Sequence, residues 1–270
     1  MSQATLLPAQ FNIVDSTVDV MKGDILYPFA LDELCARKVG EGTLGPLVHL
    51  WRHQKAFVMG LRDRKLPYSD QAMEWLERQG YAVTVRNSGG AAVPLDPGVV
   101  NLSIILPNPT SKIDFHQDFE LMYQIIRDSL GSFVEKGEIV GSYCPGDFDL
   151  SVKGKKFCGI AQRRQTKAFV VQAFIVVEGK GDERAELVRR FYEIASGGEE
   201  KGNYPLVSVD RMASLQELVD VGSVVTYVEG LKGVLSNYGG VAAPGDGLSL
   251  FMPEMERTIV ELRNRYEKRS

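Results

Sequence analysis

The chain has 270 residues, 44% hydrophobic and 24% charged, with 31 Lys and Arg against 35 Asp and Glu for a net charge of −4. That balance suits one large folded unit with an appendage, and it lacks the basic stripe on which nucleic-acid affinity depends. No apolar run approaches the ~18 residues of a membrane span, and three cysteines without CxxC spacing speak against a disulfide framework or a structural zinc and for a reducing compartment.

Residues 1–28 open without the basic-then-apolar pattern of a secretion signal, so a cytoplasmic location is expected, and they read as an irregular lead-in. Leu31, Leu34 and Cys35 then recur at helical spacing in a segment that ends in glycine, a helix stop. Cys35 lies on that stripe and reads as packing. Gly40, Gly42 and Gly45 form a nominal GxGxxG. A helix precedes them and a strand-like run follows, the reverse of a dinucleotide site, so they form a loop. Short strands at 47–51 and 56–59 flank Arg52-His53-Gln54-Lys55. Ser69 and Asp70 can cap a helix whose apolar face is Ala72, Met73, Trp75 and Leu76, stopped at Gly80. A strand at 81–86 runs into Asn87-Ser88-Gly89-Gly90, and strands at 91–94 and 99–106 are joined by a turn at Asp96-Pro97-Gly98.

Asp114 and Gln117 make a capping-box-like start to the longest helical pattern, with Phe115, Phe119, Met122, Tyr123, Ile126, Leu130 and Phe133 on one stripe. This helix delivers the chain to Ser142-Tyr143-Cys144-Pro145-Gly146, where a thiol stands at a turn. Phe148, Leu150 and Val152 alternate as a strand, Lys153-Gly154-Lys155-Lys156 forms a hairpin, and a return strand opens at Cys158-Gly159. The hairpin brings Cys144 and one of its lysines toward the same end, and a thiol beside an ammonium is a thiolate nucleophile. The pattern alone leaves open which lysine. Residues 168–178 are apolar on both faces, hence central in a sheet. An amphipathic helix at 182–195 rests on Leu187, Val188, Phe191 and Ile194. Two short helices (215–221 and 224–235), a Gly/Pro/Ala loop (237–247) and a last helix (254–267, aligning Met255, Ile259, Leu262 and Tyr266) complete the chain. Strands and helices in mixed order favour α+β, with helices covering a sheet, over a doubly wound parallel fold.

Few groups carry chemistry. His49, His53 and His116 have no metal-ligand spacing, and neither a GxSxG elbow nor a P-loop is present. Asn101-Leu102-Ser103 matches the glycosylation pattern, which has no weight within a strand. In Arg86-Asn87-Ser88-Gly89-Gly90-Ala91-Ala92-Val93 two glycines between strands would let a ligand approach the backbone, although a tight turn explains them equally well. Cys144 sits in a polar, turn-rich context, whereas Cys158, between Phe157 and Gly159, reads as structural.

Together these stretches resemble the lipoate–protein ligase and octanoyltransferase family, which shares its fold with biotin–protein ligases. Arg86, Ser88, Gly89, Gly90, Ala92, Val93, Asp96, Gly98 and Asn101 are similar to the family's glycine-rich acyl-binding segment. Asp149, Leu150, Val152, Gly154, Lys156, Gly159, Ala161, Gln162 and Arg163 are similar to its second segment, with Lys156 on the active-site lysine. The resemblance covers 46–229. It implies an α+β, biotin/lipoate protein ligase-like mixed sheet covered by helices. Residues 1–45 would be a lead-in and a helix packing on the core, 46–229 the catalytic acyltransferase domain, and 230–270 a C-terminal helical extension. Substrate binding would fall to Arg86, Ser88, Gly89, Gly90, Asp96, Asn101, Gly159, Ala161 and Gln162. Ala91 and Leu95 replace a glycine and a histidine often seen in ligases, so no role for that histidine is carried over. Cys144 is absent from the ATP-using ligases. Its setting, SYCPGDFDL, looks like the amidotransferase branch, which moves octanoyl or lipoyl from the glycine-cleavage H protein to lipoyl domains of 2-oxoacid dehydrogenases. A sister branch takes octanoyl from acyl carrier protein.

The resemblance thus implies a thioester on Cys144, with Lys156 favouring the thiolate and handling a proton. Backbone N–H groups near Gly89-Gly90 or Gly159 would hold the carbonyl oxygen, at ~3 kcal/mol per donor, and Val93, Phe157 and Ile160 would line an acyl tunnel. It implies no cofactor, neither ATP nor a metal. Two other readings compete: an ATP-dependent ligase making acyl-AMP, for whose usual accessory domain the last ~40 residues are too few, and a non-catalytic acyl or lipoyl-domain binding module, which would need no nucleophile.

Overall fold

The computed structural model describes residues 7–86, 88–108, 115–199, 202–243 and 252–266. In chain order the elements are β1 (Phe11–Met21), α1 (Leu26–Glu41), β2 (Leu47–His53), β3 (Ala56–Met59), α2 (Ser69–Arg78), β4 (Ala82–Val85), β5 (Val93–Leu95), β6 (Val99–Pro107) and α3 (Phe115–Leu130). There follow β7 (Glu135–Lys136), β8 (Leu150–Val152), β9 (Lys155–Arg164), β10 (Ala168–Val176), α4 (Gly181–Ser196), α5 (Leu215–Val219), α6 (Val224–Asn237), β11 (Gly240–Ala242) and α7 (Met252–Tyr266).

The main sheet runs β11-β1-β2-β6-β10-β9-β8-β7, and β4-β3-β5 form a smaller one. β1 is parallel to β2 and β11, while β2, β6, β10, β9, β8 and β7 pair antiparallel in succession. Helices cover both faces, so the inner strands β6 and β10 are apolar runs rather than alternating ones. On one face Leu47, Trp51, Ile105, Val170 and Phe174 pack with α1, with Ala72 and Leu76 of α2, Val188 and Phe191 of α4, and Met255 and Leu262 of α7. On the other, Val48, Leu50, Leu102, Ile104, Val171 and Ile175 meet Met122, Ile125 and Ile126 of α3 and Leu231 and Leu235 of α6. Each such side chain contributes roughly 1.5–3 kcal/mol on burial. The architecture is the expected α+β mixed sheet wrapped by helices. Among the described residues no helix is long and apolar enough to cross a membrane.

The chain ends depart from expectation. The lead-in carries an eleven-residue strand, β1, whose apolar alternation (Phe11, Ile13) is interrupted by the polar residues Asp15 and Ser16. The loop at 237–247 contains β11, hydrogen-bonded to β1, and the boundary expected between 229 and 230 falls inside α6. The two strands at 47–51 and 56–59 part company, β2 joining the large sheet and β3 the small one. At α2 the N-cap is Tyr68, and the Ser69 hydroxyl accepts from Arg64 Nη1 at 2.9 Å while donating to the Arg64 carbonyl. Asp114 lies outside the described residues. The buried face of α3 holds Asp118, Leu121, Met122, Ile125 and Ile126, turned from the predicted stripe, and Phe133 is exposed beyond the helix end. In α4 the buried Tyr192 joins Val188 and Phe191, with Leu187 and Ile194 at the margin.

Candidate active site

β8 and β9 are joined by Lys153 and Gly154, with φ of +52° and +72°. Two left-handed residues in a two-residue loop match the right-handed twist of the flanking strands. The pairing starts Val152 to Lys155 and Ser151 to Lys156, then jumps to Leu150 and Cys158. Phe157 is therefore the extra residue of a β-bulge, which re-aims its neighbours. Phe157 and Cys158 both enter the core with Leu150 and Val152. Lys156 and Gly159 share the opposite face, where a Cβ on Gly159 would lie 3.4 Å from Lys156 Cε. The expected tunnel residue Phe157 thus stands on the wrong side of the sheet.

Lys156 is wholly buried. Its ammonium has three donors, and they meet Asp149 Oδ1 at 2.8 Å, the Tyr143 carbonyl at 2.9 Å and the Cys144 carbonyl at 2.6 Å. The Phe174 ring lies 5.6 Å from Nζ. Burial pushes the Asp149 carboxyl up, against the opposing pull of Lys156, and its second oxygen accepts from Ile139 N at 3.3 Å. Two of the three donors thus hold the main chain at Cys144. Cys144 itself has φ +48°, a left-handed conformation that costs a non-glycine residue energy and persists only where the surroundings enforce it.

The sulfur faces the glycine segment. The Ala91 N–H donates to Sγ at 3.2 Å and Arg86 Nη2 donates at 3.1 Å, the same nitrogen also reaching the Ala91 carbonyl at 2.6 Å. Gly90, at φ +99°, leaves room for this approach: a Cβ there would sit 2.2 Å from Arg86 Nη2 and 2.9 Å from Sγ. Behind it the Ala92 N–H donates to Tyr192 Oη at 3.2 Å, the tyrosine donates to Asp63 Oδ1 at 2.9 Å, and Asp63 Oδ2 accepts from Gly60 N at 2.7 Å. Burial raises both the Tyr192 hydroxyl and the Asp63 carboxyl. The other two thiols are core residues, Cys35 pushed up to about 12 and Cys158 also pushed up, both by burial.

From Cys144 a narrow cleft of about 460 Å³, counting its open mouth, runs between the main sheet, the small sheet and α1. Cross-strand register puts Trp51, Asn101, Phe174 and Gly159 in one row across its floor and His49, Ser103, Gln172 and Ala161 in the next. Asp32 of α1 ties the second row together, bonding His49 Nδ1 at 2.9 Å, the Ser103 hydroxyl, and Gln172 Nε2 at 3.0 Å. Val93, Leu95 and Phe29 supply apolar wall. Trp51 Nε1 and Asn101 Nδ2 are buried donors with no partner among the described residues.

Of the residues expected from sequence, Cys144, Lys156, Arg86, Gly90, Asn101, Gly159 and Ala161 converge. Ser88 and Gly89 line an adjoining groove with Gly90, Pro145 and Tyr204. Two stand elsewhere. Asp96 makes a two-pronged ion pair with Arg184, both contacts at 2.7 Å, and accepts from Gly98 N, so it braces a turn against α4. Gln162 points to the opposite face and bonds Asp118 of α3. Sequence reasoning missed the roles of Asp149, the Ala91 N–H, the Asp63–Tyr192 brace and the Asp32 row. The available trace was a set of polar residues within largely apolar strands: His49 in β2, Asn101 and Ser103 in β6, and Gln172 in β10. Among the described residues no three His, Cys, Asp or Glu side chains converge as metal ligands.

A family model described as the lipoyl protein ligase A/B catalytic domain matches residues 24–230. The chain is 43% identical over 245 residues to an octanoyl-GcvH:protein N-octanoyltransferase of Geobacillus kaustophilus (strain HTA426), covering 89% of this chain and 87% of that one. It is 38% identical over 259 residues to a lipoyl-GcvH:protein N-lipoyltransferase of Listeria monocytogenes serovar 1/2a (strain ATCC BAA-679 / EGD-e), covering 92% and 93%. A solved lipoate-protein ligase A bound with ATP superimposes with a TM-score of 0.67 at 17% identity, covering 96% of this chain and 97% of that one, a likeness of fold.

Proposed function

Because this chain belongs to the lipoyl protein ligase A/B catalytic-domain family, we propose that it is an acyltransferase working through a thioester on Cys144. The donor is the octanoyl- or lipoyl-lysine of the glycine-cleavage H protein, and the acceptor is a lipoyl-domain lysine of a 2-oxoacid dehydrogenase. The donor assignment draws on the names of the Geobacillus and Listeria relatives, which carry the octanoyl and the lipoyl group on GcvH. One observation carries the nucleophile: Cys144 is held left-handed on a clamped turn, with its sulfur at the cleft and within reach of two N–H donors.

In the first half-reaction the Cys144 sulfur attacks the acyl carbon of the donor amide. A C–S bond forms, the C–N bond breaks, and the donor lysine departs as an amine carrying the proton the thiol has lost. In the second, the acceptor amine attacks the thioester carbon, C–N forms, C–S breaks, and the proton shed by nitrogen restores the thiol. The bond broken and the bond made overall are both lysine amides, so no nucleotide is consumed. The acyl chain lies over Gly159 and Ala161 between Val93 and Leu95, and Asn101 Nδ2, Ser88 and the Gly89-Gly90 backbone offer donors to oxygen that gains charge.

The test is intact-mass analysis after mixing with octanoylated H protein, followed by addition of unmodified lipoyl domain. A hydroxylamine-labile adduct on Cys144, passed on to the lipoyl domain and absent from Cys144→Ala, is expected. Full transfer by Cys144→Ala removes the acyl-enzyme. Acyl-AMP from free octanoate and ATP makes the chain a ligase, and an adduct formed only from octanoyl-acyl carrier protein replaces the donor.

A further inference from the structure

We propose that Asp63 and Tyr192 are a positioning pair: they fix the two peptide planes that flank Ala91, and so aim the Ala91 N–H at the oxygen that gains charge when the acyl group bonds to Cys144. This rests on the acyl-enzyme reading above and adds a backbone donor, with its support, to that site.

Each of the two planes is held on both sides. A peptide unit is planar and trans, so its carbonyl and its N–H point in opposite directions. In the Gly90–Ala91 unit the carbonyl oxygen lies against Gly60, where a Cβ would stand 2.1 Å from it. The N–H on the far side of that unit meets Cys144 Sγ at 3.2 Å. In the Ala91–Ala92 unit the carbonyl accepts from Arg86 Nη2 at 2.6 Å and the N–H donates to Tyr192 Oη at 3.2 Å.

Both units trace back to one carboxylate, that of Asp63 in the turn after β3. Its Oδ2 accepts at 2.7 Å from the N–H of Gly60, the residue on which the first unit rests. Its Oδ1 accepts at 2.9 Å from Tyr192 of α4, which holds the second. Because the tyrosine proton goes to Asp63, the lone pairs of its oxygen are left for Ala92. Both side chains are buried, where hydrogen bonds are electrostatically stronger than in water. The Tyr192 ring is itself fixed, edge-on to Phe191 at 5.1 Å and stacked on Tyr204 at 5.3 Å. Neither residue lines the cleft that takes the acyl chain. Asp63 borders the adjoining groove, with both of its oxygens already accepting, so the pair acts on the reaction through Ala91.

The Ala91 N–H stands where an oxyanion forms. As the C–S bond forms, the carbonyl π pair moves to the acyl oxygen, and it returns when the C–N bond breaks. That oxygen arrives on the carbon bonded to the very sulfur that the N–H already meets. An effective donor lies about 2.7–3.1 Å from the developing anion and is set in advance, with no reorganisation during the step. Support from Gly60, Arg86 and Tyr192 sets this one before the acyl group enters.

The experiment compares two reactions of one sulfur in the full chain. Acylation by octanoylated H protein, followed in single turnovers by intact mass, develops charge on the acyl oxygen. Alkylation by iodoacetamide, localised to Cys144 by peptide mass, displaces iodide and develops none there. Tyr192→Phe keeps the ring between Phe191 and Tyr204 and removes the hydroxyl. It is expected to slow acylation about 10²-fold, while alkylation changes by no more than about threefold. Asp63→Asn, whose amide has one acceptor oxygen in place of two, is the second variant should the first not fold, and it slows acylation about tenfold or more. The double variant acylates about as fast as the slower single one, as residues acting along one path do. Acylation at the wild-type rate in a folded variant overturns the proposal. So does an equal fall in both reactions, which would make the pair a support of the fold around the cysteine and nothing more. Failure of the acyl-enzyme reading looks different: the wild-type chain then forms no hydroxylamine-labile adduct while its alkylation proceeds, and the proposal falls with it.

Discussion

Lys156→Met tests the clamp most directly. The substitution keeps the length of the side chain and removes its charge, leaving Asp149, 1% exposed, with the 3.3 Å contact from Ile139 N, the 3.4 Å contact from the Ser142 hydroxyl and a backbone hydrogen bond from Gly146. Breaking a buried pair by removing one partner costs about 3–5 kcal/mol. At roughly 2–4 °C per kcal/mol for chains of about this size, Tm at pH 7 falls by about 6–20 °C. The loss depends on pH in a fixed direction. Asp149 is already raised by burial with Lys156 pulling it down, so its ionisation opposes folding. The associated stability is present at low pH, below the ordinary carboxylate value, and is lost as pH rises through the folded-state value. Removing Lys156 raises the folded-state value further, so the gap between variant and wild type widens from pH 5 to pH 7. It does not vanish at pH 5, because the Tyr143 and Cys144 carbonyls also lose their donor. Thermal unfolding of both proteins at the two pH values is the assay. A variant as stable as wild type at pH 7, or a gap that grows on acidification, refutes the reasoning.

Three further outcomes are expected. Gly90→Ala, at φ +99° and with a Cβ overlapping Arg86 Nη2 and Cys144 Sγ, costs about 1–3 kcal/mol and lowers transfer about 10²-fold; near-normal kcat/KM would mean that the segment is free to shift. Iodoacetamide at pH 8 adds once to the native protein and three times after denaturation, because burial holds Cys35 and Cys158 as thiols; mass analysis that finds either labelled in the native state contradicts their placement. Ala161→Leu fills the cleft between the row at Gly159 and the row tied by Asp32, so transfer of octanoyl falls at least about tenfold relative to butanoyl, and an unchanged ratio of kcat/KM for the two would place the acyl chain elsewhere.

Much of the site was legible because it sits in two continuous stretches. Arg86 to Asn101 and Cys144 to Gln162 carry most of its groups, and the glycines and the alternation around Leu150 gave their local form away. What escaped has physical reasons. The alternation rule assumes an unbroken period of two, and the bulge at Phe157 breaks it without any glycine or proline at that residue; Phe157, expected along the acyl tunnel, belongs to the core. The hairpin puts a lysine at the same end as the thiol and the family resemblance selects Lys156, but neither tells that its ammonium meets the carbonyls of Tyr143 and Cys144. Asp96 and Gln162 stood within the right motifs and point away from the cleft, to Arg184 and Asp118. The same limit hid β1 and β11: Asp15 and Ser16 mask the first, and three residues are too few to announce the second.

The bulge also makes β9 a strand with two phases. Downstream of Phe157 the even-numbered positions Cys158 and Ile160 pack in the layer of α3 and α6, Ile160 also bordering the cleft, and the odd ones, Gly159 and Ala161, serve the cleft. Upstream the parity is inverted, so that Lys156 belongs with the odd set. Deletion of Phe157 alone would bring the whole strand into step and keep Lys156 on the cleft face, with Cys158 and the residues beyond it in register with β10; pairing every residue of β9 without a bulge would instead rotate the lysine into the hydrocarbon of the other layer. Chemistry and packing are thus encoded on one segment in different reading frames, and the one extra residue is what lets both frames share the strand.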